Sequence, residues 1–317
     1  MNKIKLGLLP LYIQLYDNSS PKMRPRIEAF YNSAAEFLHR RGDELSIEVI
    51  TSPVCRLKEE FDNAVSSFKQ NNAEGIITLH LAYSPSLQSI DSICGSGLPV
   101  LVLDITEANS FDPDQAAAEI SYNHGIHGVQ DLCNMMIRRG KQFEIAAGHI
   151  GSKHVAEKVV SWVRAIRGAA SFRNSKTGII GKPFAGMGDF QIPFDTLKNR
   201  FGINTIEYDA AEGRHCLETL GESEIQDEIS MLKSKFDCST VNDGELTKTA
   251  KTNLVIRKWM EKEKLNAFTA NFLDVKKGMG LCSVPFTAAS LAMAGGAGYG
   301  GEAFPNWYPG SPGWFGH

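Results

Sequence analysis

Short apolar runs alternate with longer stretches in which apolar residues return every three or four positions, from the start of the chain to about residue 294. The runs at 4–9, 46–51, 75–81, 99–104 and 143–147 predict strands, the third being dense in β-branched residues. Between them, 21–41 predicts a helix with Ile27, Phe30, Ala34, Phe37 and Leu38 as its stripe, and 57–70 and 86–94 predict two more. Residues 122–140 predict another, with Val129, Leu132, Cys133, Met136 and Ile137 on one face, Arg138 and Arg139 in the last turn and Gly140 as its cap. Near-continuous apolar strands separated by helices imply a parallel sheet covered on both faces.

The pattern then repeats in kind without repeating in residues. A long amphipathic helix at 154–173, with Val155, Val159, Trp162, Val163 and Ile166 on a face, closes the first domain. Strands follow at 177–181, 203–208 and 267–272, and helices at 194–200, 223–236, 244–264 and 285–294. The fold predicted is α/β, two consecutive three-layer α/β domains with mainly parallel sheets. The first spans residues 1–174 and the second 175–302, and 303–317 is an irregular tail of Gly, Pro and aromatic residues. Ligands of such sheets gather at the carboxyl ends of the strands. That puts 10–17, 53–56, 80–85 and the loop before His124 on one rim.

Composition narrows the partners. The chain has 317 residues, enough for two domains, and 33 basic against 36 acidic residues give a net charge of -3. That leaves no basic field for nucleic acid and no polybasic patch for a membrane surface. Six scattered cysteines without a C-x-x-C pair argue against a zinc ribbon or disulfide scaffold. With no apolar run near the roughly 20 residues of a membrane helix, and no signal-peptide pattern, the expectation is a soluble cytoplasmic protein.

Candidate chemistry is thin when each motif is weighed alone. His124 and His127 open a helix, where imidazoles and free N–H groups suit a polar or anionic ligand, but a capped surface helix explains them equally. His80 at a strand end suits a core histidine as well as a ligand group, and Asn271 suits a turn. The glycines at 296–301 follow a helix, so they are not a dinucleotide loop; Glu302 just after them suits a hard cation or plain solvent.

Together, five segments in order carry a resemblance: 16–26 (Tyr-Asp-Asn-Ser-Ser-Pro-Lys-Met-Arg-Pro-Arg), 79–85 (Leu-His-Leu-Ala-Tyr-Ser-Pro), 124–131, 186–190 and 298–302. The chain resembles the L-fucose/L-arabinose isomerase family over most of residues 3–302. The resemblance implies an aldose–ketose isomerase of carbohydrate metabolism that uses Mn²⁺. It implies Glu302 as a metal ligand and catalytic carboxylate, and Met187 and Phe272 as lining of the sugar pocket. His127 matches a histidine that closes the pocket, and Leu15 an apolar contact near it. It also implies a small-molecule sugar as ligand and a homo-oligomer, a trimer or hexamer with sites shared between subunits.

The departure comes after Glu302. The family continues with Gly-Asp, a long helix, a second glutamate and two histidine ligands, whereas residues 303–317 hold no Asp, Glu, Lys or Arg. The expectation is a truncated chain that lacks most of the metal site and has little isomerase activity. A non-catalytic sugar-binding or regulatory role, and a subunit that completes a partner's site in trans, stand as alternatives.

Overall fold

Strand β1 (Ile4–Leu11) is apolar on both sides: Ile4, Leu6 and Leu8 enter one core, Leu9 and Leu11 another. A strand buried on both faces needs helices above and below it. The computed structural model, which describes residues 3–275 and 278–300, supplies them. β1 joins β2 (Ile47–Thr51), β3 (Gly75–His80), β4 (Val100–Thr106) and β5 (Phe143–His149) in the order β2-β1-β3-β4-β5, with every neighbouring pair parallel. Helices α2 (Arg24–Leu45) and α7 (Lys153–Arg173) bring Ile27, Phe30, Leu38, Val155, Val159 and Trp162 to one face. Helices α3 (Lys58–Gln70), α4 (Ser86–Gly95) and α6 (Gly125–Arg138) bring Phe61, Phe68, Ile90, Val129 and Met136 to the other. Gly140, at φ +64°, ends α6 in the left-handed conformation expected of a helix-terminating glycine. A short helix, α1 (Gln14–Ser19), sits in the loop after β1, where periodicity gave no signal, and the helix expected at 122–140 is broken at His124 into a short α5 (Ile120–Asn123) and α6.

The second sheet has the order β7-β6-β8-β9, again all parallel. Its strands are β6 (Lys176–Ile180), β7 (Asn204–Glu207), β8 (Ala267–Ala270) and β9 (Gly298–Gly300). Its helices are α8 (Phe194–Phe201), α9 (Ala210–Glu218), α10 (Glu222–Lys235), α11 (Asp243–Glu263) and α12 (Phe286–Ala294). Ile180, Val255, Trp259 and Phe268 form its main core, and Ile225, Leu232, Leu246 and Leu254 a second one between α10 and α11. The strand read at 267–272 stops at Ala270, because the Asn271 side chain accepts from Leu273 N at 3.0 Å and turns the chain. Gly298–Gly300, within the glycines after α12 for which no strand was expected, form β9, whose Gly298 and Tyr299 pair with Ala267 and Phe268.

The chain divides into two compact units, Met1–Arg167 and Gly168–His317, with the division inside α7; the boundary expected at 174 falls where α7 ends. The tail at 303–317 lies outside the described residues. Among the described residues no helix is long and apolar enough to cross a membrane.

A buried acid pins the second unit. Glu228 on α10 is 4% exposed and accepts from Arg257 at 2.7 Å and from Asn253 at 3.3 Å, both on α11. Glu228→Ala is expected to cost about 1–3 kcal/mol in urea unfolding, since it leaves the buried Asn253 amide without its acceptor and opens a gap between the two helices, while the Arg257 side chain, 47% exposed, turns to water. Glu228→Gln should cost less. An Ala variant as stable as the parent would mean the pair holds nothing.

Candidate functional site

At the carboxyl ends of the first sheet, backbone bonds stitch three loops together. Cys55 N donates to Pro10 O and Tyr12 N to Cys55 O, each at 3.0 Å, and Leu81 N donates to Leu11 O at 3.0 Å. The expected rim therefore exists, at the point where chain order reverses between β1 and its neighbours.

Its charges are internally matched. Asp17 accepts from Arg56 at 2.6 Å and from Arg24 at 3.2 Å, and Arg56 also donates to Glu60 at 2.6 Å. Burial works against the Glu60 carboxylate, but hydrogen bonds from the Arg56 side chain and from the Arg56 and Leu57 backbone outweigh it and hold its pKa below the ordinary value. Arg26 forks onto Glu119 with two bonds of 2.8 Å, donates to Glu107 at 2.9 Å and lies over the Tyr122 ring at 4.1 Å. It thereby ties α2 to the loop that leads into α6. With each of these arginines paired to carboxylates, this rim is shaped for a neutral ligand rather than an anion.

The two histidines stand at the edge of that network. His124 Nδ1 faces Ile120 O at 3.0 Å, a group that only accepts, so Nδ1 carries the proton and Tyr16 donates its hydroxyl to Nε2 at 2.9 Å. Burial pushes the His124 pKa down and the neighbouring His127 adds to that, against the pull of the Ile120 and Ser121 backbone. His127 is exposed, with its ring 5.9 Å from that of His124 and Nδ1 3.3 Å from His124 O. Leu15, 58% exposed, precedes Tyr16 on α1. The Tyr16–His124 bond thus brings Leu15 and His127, far apart in sequence, to one rim.

Beneath them lies His80. It is buried, as a core histidine would be, yet among the described residues neither ring nitrogen has a hydrogen-bond partner, and the buried hydroxyls of Tyr12, Thr78 and Ser84 have none there either. Burial drops its pKa to about 3, against the opposing pull of Asp131 and the Gly128 backbone. The first turn of α6 rests on it. A Cβ at Gly125 would stand 2.8 Å from His80 O, and one at Gly128 2.6 Å from the His80 ring.

In the second unit the corresponding rim holds Met187 and Phe272. Met187 N donates to Phe184 O at 3.4 Å in the turn after β6, and the Phe184 and Phe272 rings are 5.3 Å apart. Asn271 fixes the two turns by donating to Lys182 O at 2.7 Å, and Asp274 by accepting from Lys182 N at 2.8 Å. So Met187 and Phe272 share the carboxyl rim of adjacent strands β6 and β8. Phe184 and Phe286, which no sequence signal singled out, join them. Glu302 lies outside the described residues. Among the described residues no three His, Cys, Asp or Glu side chains stand together in a way that would hold a metal ion.

Comparison with known proteins matches both units. The model of the L-arabinose isomerase N-terminal domain matches residues 26–174, and that of the L-arabinose isomerase central domain matches residues 196–307. An L-arabinose isomerase of Shewanella baltica (strain OS223) is 22% identical over 290 residues, which are 87% of this chain and 57% of that protein. One from Nocardioides sp. (strain ATCC BAA-499 / JS614) is 22% identical over 81% of this chain and 52% of its own length. One from Mycolicibacterium smegmatis is 23% identical over 84% and 54%. The chain therefore spans about half the length of these relatives. Among solved structures, a periplasmic solute-binding protein from Actinobacillus succinogenes 130z with bound D-allose is 10% identical, covers 94% of this chain and 78% of its own, and has a TM-score of 0.27. That overlap is too low to carry an argument.

Proposed function

We propose, from the premise that this chain belongs to the L-arabinose isomerase-like family through its N-terminal and central domains, that it binds an aldose at the rim of its second unit and serves aldose–ketose isomerisation. The observation that supports this most is the ring contact of Phe184 and Phe272 in the turns after β6 and β8, with Met187 N bonded to Phe184 O in the first of those turns. Apolar side chains at that place suit the C–H face of a sugar, leaving its hydroxyls to polar groups and water. In the same reading Leu15 and His127 reach the pocket of a neighbouring copy in a trimer or hexamer.

A divalent manganese ion, if bound, would supply Lewis-acid chemistry to the sugar. The ligand assigned to it is Glu302 alone, and the described residues offer no further group of donors. Nothing assigned to them passes through the metal; their part is to bind and orient the sugar.

Titration calorimetry with L-arabinose and L-fucose tests this. At least one sugar is expected to bind, and Phe272→Ala to weaken it by roughly tenfold or more through loss of a contact face. Binding of neither sugar, or a Phe272→Ala chain that binds like the parent, would contradict the reading. With added Mn²⁺ the 317-residue chain alone is expected to turn over either sugar slowly or not at all. Turnover at an ordinary enzyme rate would show that more of the metal site is present than Glu302.

A further inference from the structure

Phe272 follows β8 and Phe286 opens α12, and their rings stand 6.5 Å apart although the chain makes a detour between them. Residues 278–284 of that detour belong to no helix or strand, and neighbouring elements hold them. Arg214 donates to Gly278 O at 2.5 Å, and the Tyr208 hydroxyl donates to Met279 O at 3.0 Å. Gly280, at φ +77°, lies so close on α9 that a Cβ there would collide with the backbone of Gly213 and Arg214. Leu281, 7% exposed, enters the core that also holds Ala288 and Ala289 of α12.

The last hold is Thr252. It is buried on α11, and its Oγ1 accepts from Cys282 N and from Ser283 N, each at 3.1 Å, and lies 3.2 Å from Ser283 Oγ. One buried oxygen thus serves two backbone donors that no helix or strand satisfies. Nothing within α11 calls for that oxygen: a β-branched residue is a modest helix former, and valine would fill the same space. The hydroxyl is explained by the segment it holds. From Ser283 the chain runs through Val284 and Pro285 straight into Phe286, so Thr252 sets where α12 begins. The other end of the detour is set by Asn271, which ties the turn of Phe272 to Lys182 O at 2.7 Å.

Resting on the reading that this rim takes an aldose, we propose that Thr252 is a positioning residue for it. Thr252 holds residues 278–284 against α11 and so keeps Phe286 beside Phe272. Release of that hold and binding of the sugar exclude each other, although Thr252 itself lies in the core and touches no sugar.

The test starts on the unaltered chain. Exchange of the Cys282 and Ser283 amides is followed by NMR without sugar and with L-arabinose or L-fucose, whichever binds more tightly. At about ten times the dissociation constant, exchange of both amides should slow roughly tenfold, because the sugar takes only the closed form. Thr252→Val keeps the shape and removes the acceptor. In the sugar-free chain it should speed exchange at both amides and remove the nuclear Overhauser contact between the rings of Phe272 and Phe286. It should weaken sugar binding roughly tenfold, as the fraction of chains in the closed form falls. Thr252→Ser keeps the oxygen and should restore the ring contact and most of the affinity. Circular dichroism of each variant separates release of the segment from loss of fold. Exchange that sugar does not slow in the parent chain overturns this inference alone, and so does a folded Thr252→Val variant that keeps the ring contact or the parent's affinity. Failure of both sugars to bind the parent overturns the aldose reading together with it.

Discussion

Gly128→Ala is expected to destabilise the first unit by about 2 kcal/mol, although alanine in place of glycine inside a helix ordinarily gains about 1 kcal/mol. The new Cβ would stand 2.6 Å from the His80 ring, 2.9 Å from Ser84 N and 3.1 Å from Ser84 O. The ring is walled in by core and two of the three atoms are backbone, so neither neighbour yields cheaply. Overpacking of this kind typically costs 1–3 kcal/mol, and Gly128→Val should cost more. Gly168 in α7 is the control: a Cβ there meets nothing within 4 Å, so Gly168→Ala should gain up to about 1 kcal/mol. The two substitutions are chemically identical, and only docking of α6 on His80 predicts opposite signs in chemical denaturation. A stabilised Gly128→Ala chain would mean that α6 does not sit there.

Acid should loosen the same contact. His80 is neutral in the folded chain, with its pKa lowered from 6.5 to about 3 by burial. Between those values the unfolded chain binds the proton and the folded chain refuses it, so stability falls as pH falls. The slope is about 1.4 kcal/mol per pH unit, which gives roughly 2–3 kcal/mol between pH 6.5 and 4.5. The depressed pKa of His124 acts in the same direction. Carboxylates held low, such as Glu60 and Asp62, lose their contribution only below their ordinary values of 4.5 and 3.8, and Asp104, whose carboxyl burial pushes up, acts in the opposite direction, so the loss of stability between pH 6.5 and 4.5 is assigned to the histidines. His80→Met should flatten the dependence between pH 6.5 and 4.5 whatever it does to absolute stability. A variant that keeps the full slope would assign the effect to another group.

The strands most legible in the sequence are those whose residues are apolar on both faces, β1, β3 and β4, because two-sided burial leaves an unbroken signal. β9 was invisible for the opposite reason: Gly298, Tyr299 and Gly300 carry little side-chain pattern, and only backbone pairing to β8 makes them a strand. Helix α9 had a signal that went unused. Asp209, two residues beyond the end of β7, caps the helix by accepting from Ala211 N at 2.7 Å, an arrangement that an Asp before a run of helix formers announces. The rim of the first unit followed from topology alone, but the bond that joins Tyr16 to His124 spans 108 positions and leaves no trace in either segment. The same holds for Phe286, which periodicity placed at the start of a helix and only the fold brings beside Phe272.

The central claim is that the rim of the second unit takes the sugar. Backbone amide NMR of the full chain, titrated with L-arabinose and with L-fucose, tests it most directly. Shifts are predicted to concentrate at residues 181–187, 271–274 and 285–287 for at least one of the two sugars. Shifts confined to other surfaces, or none with either sugar at saturating concentration, would contradict the claim.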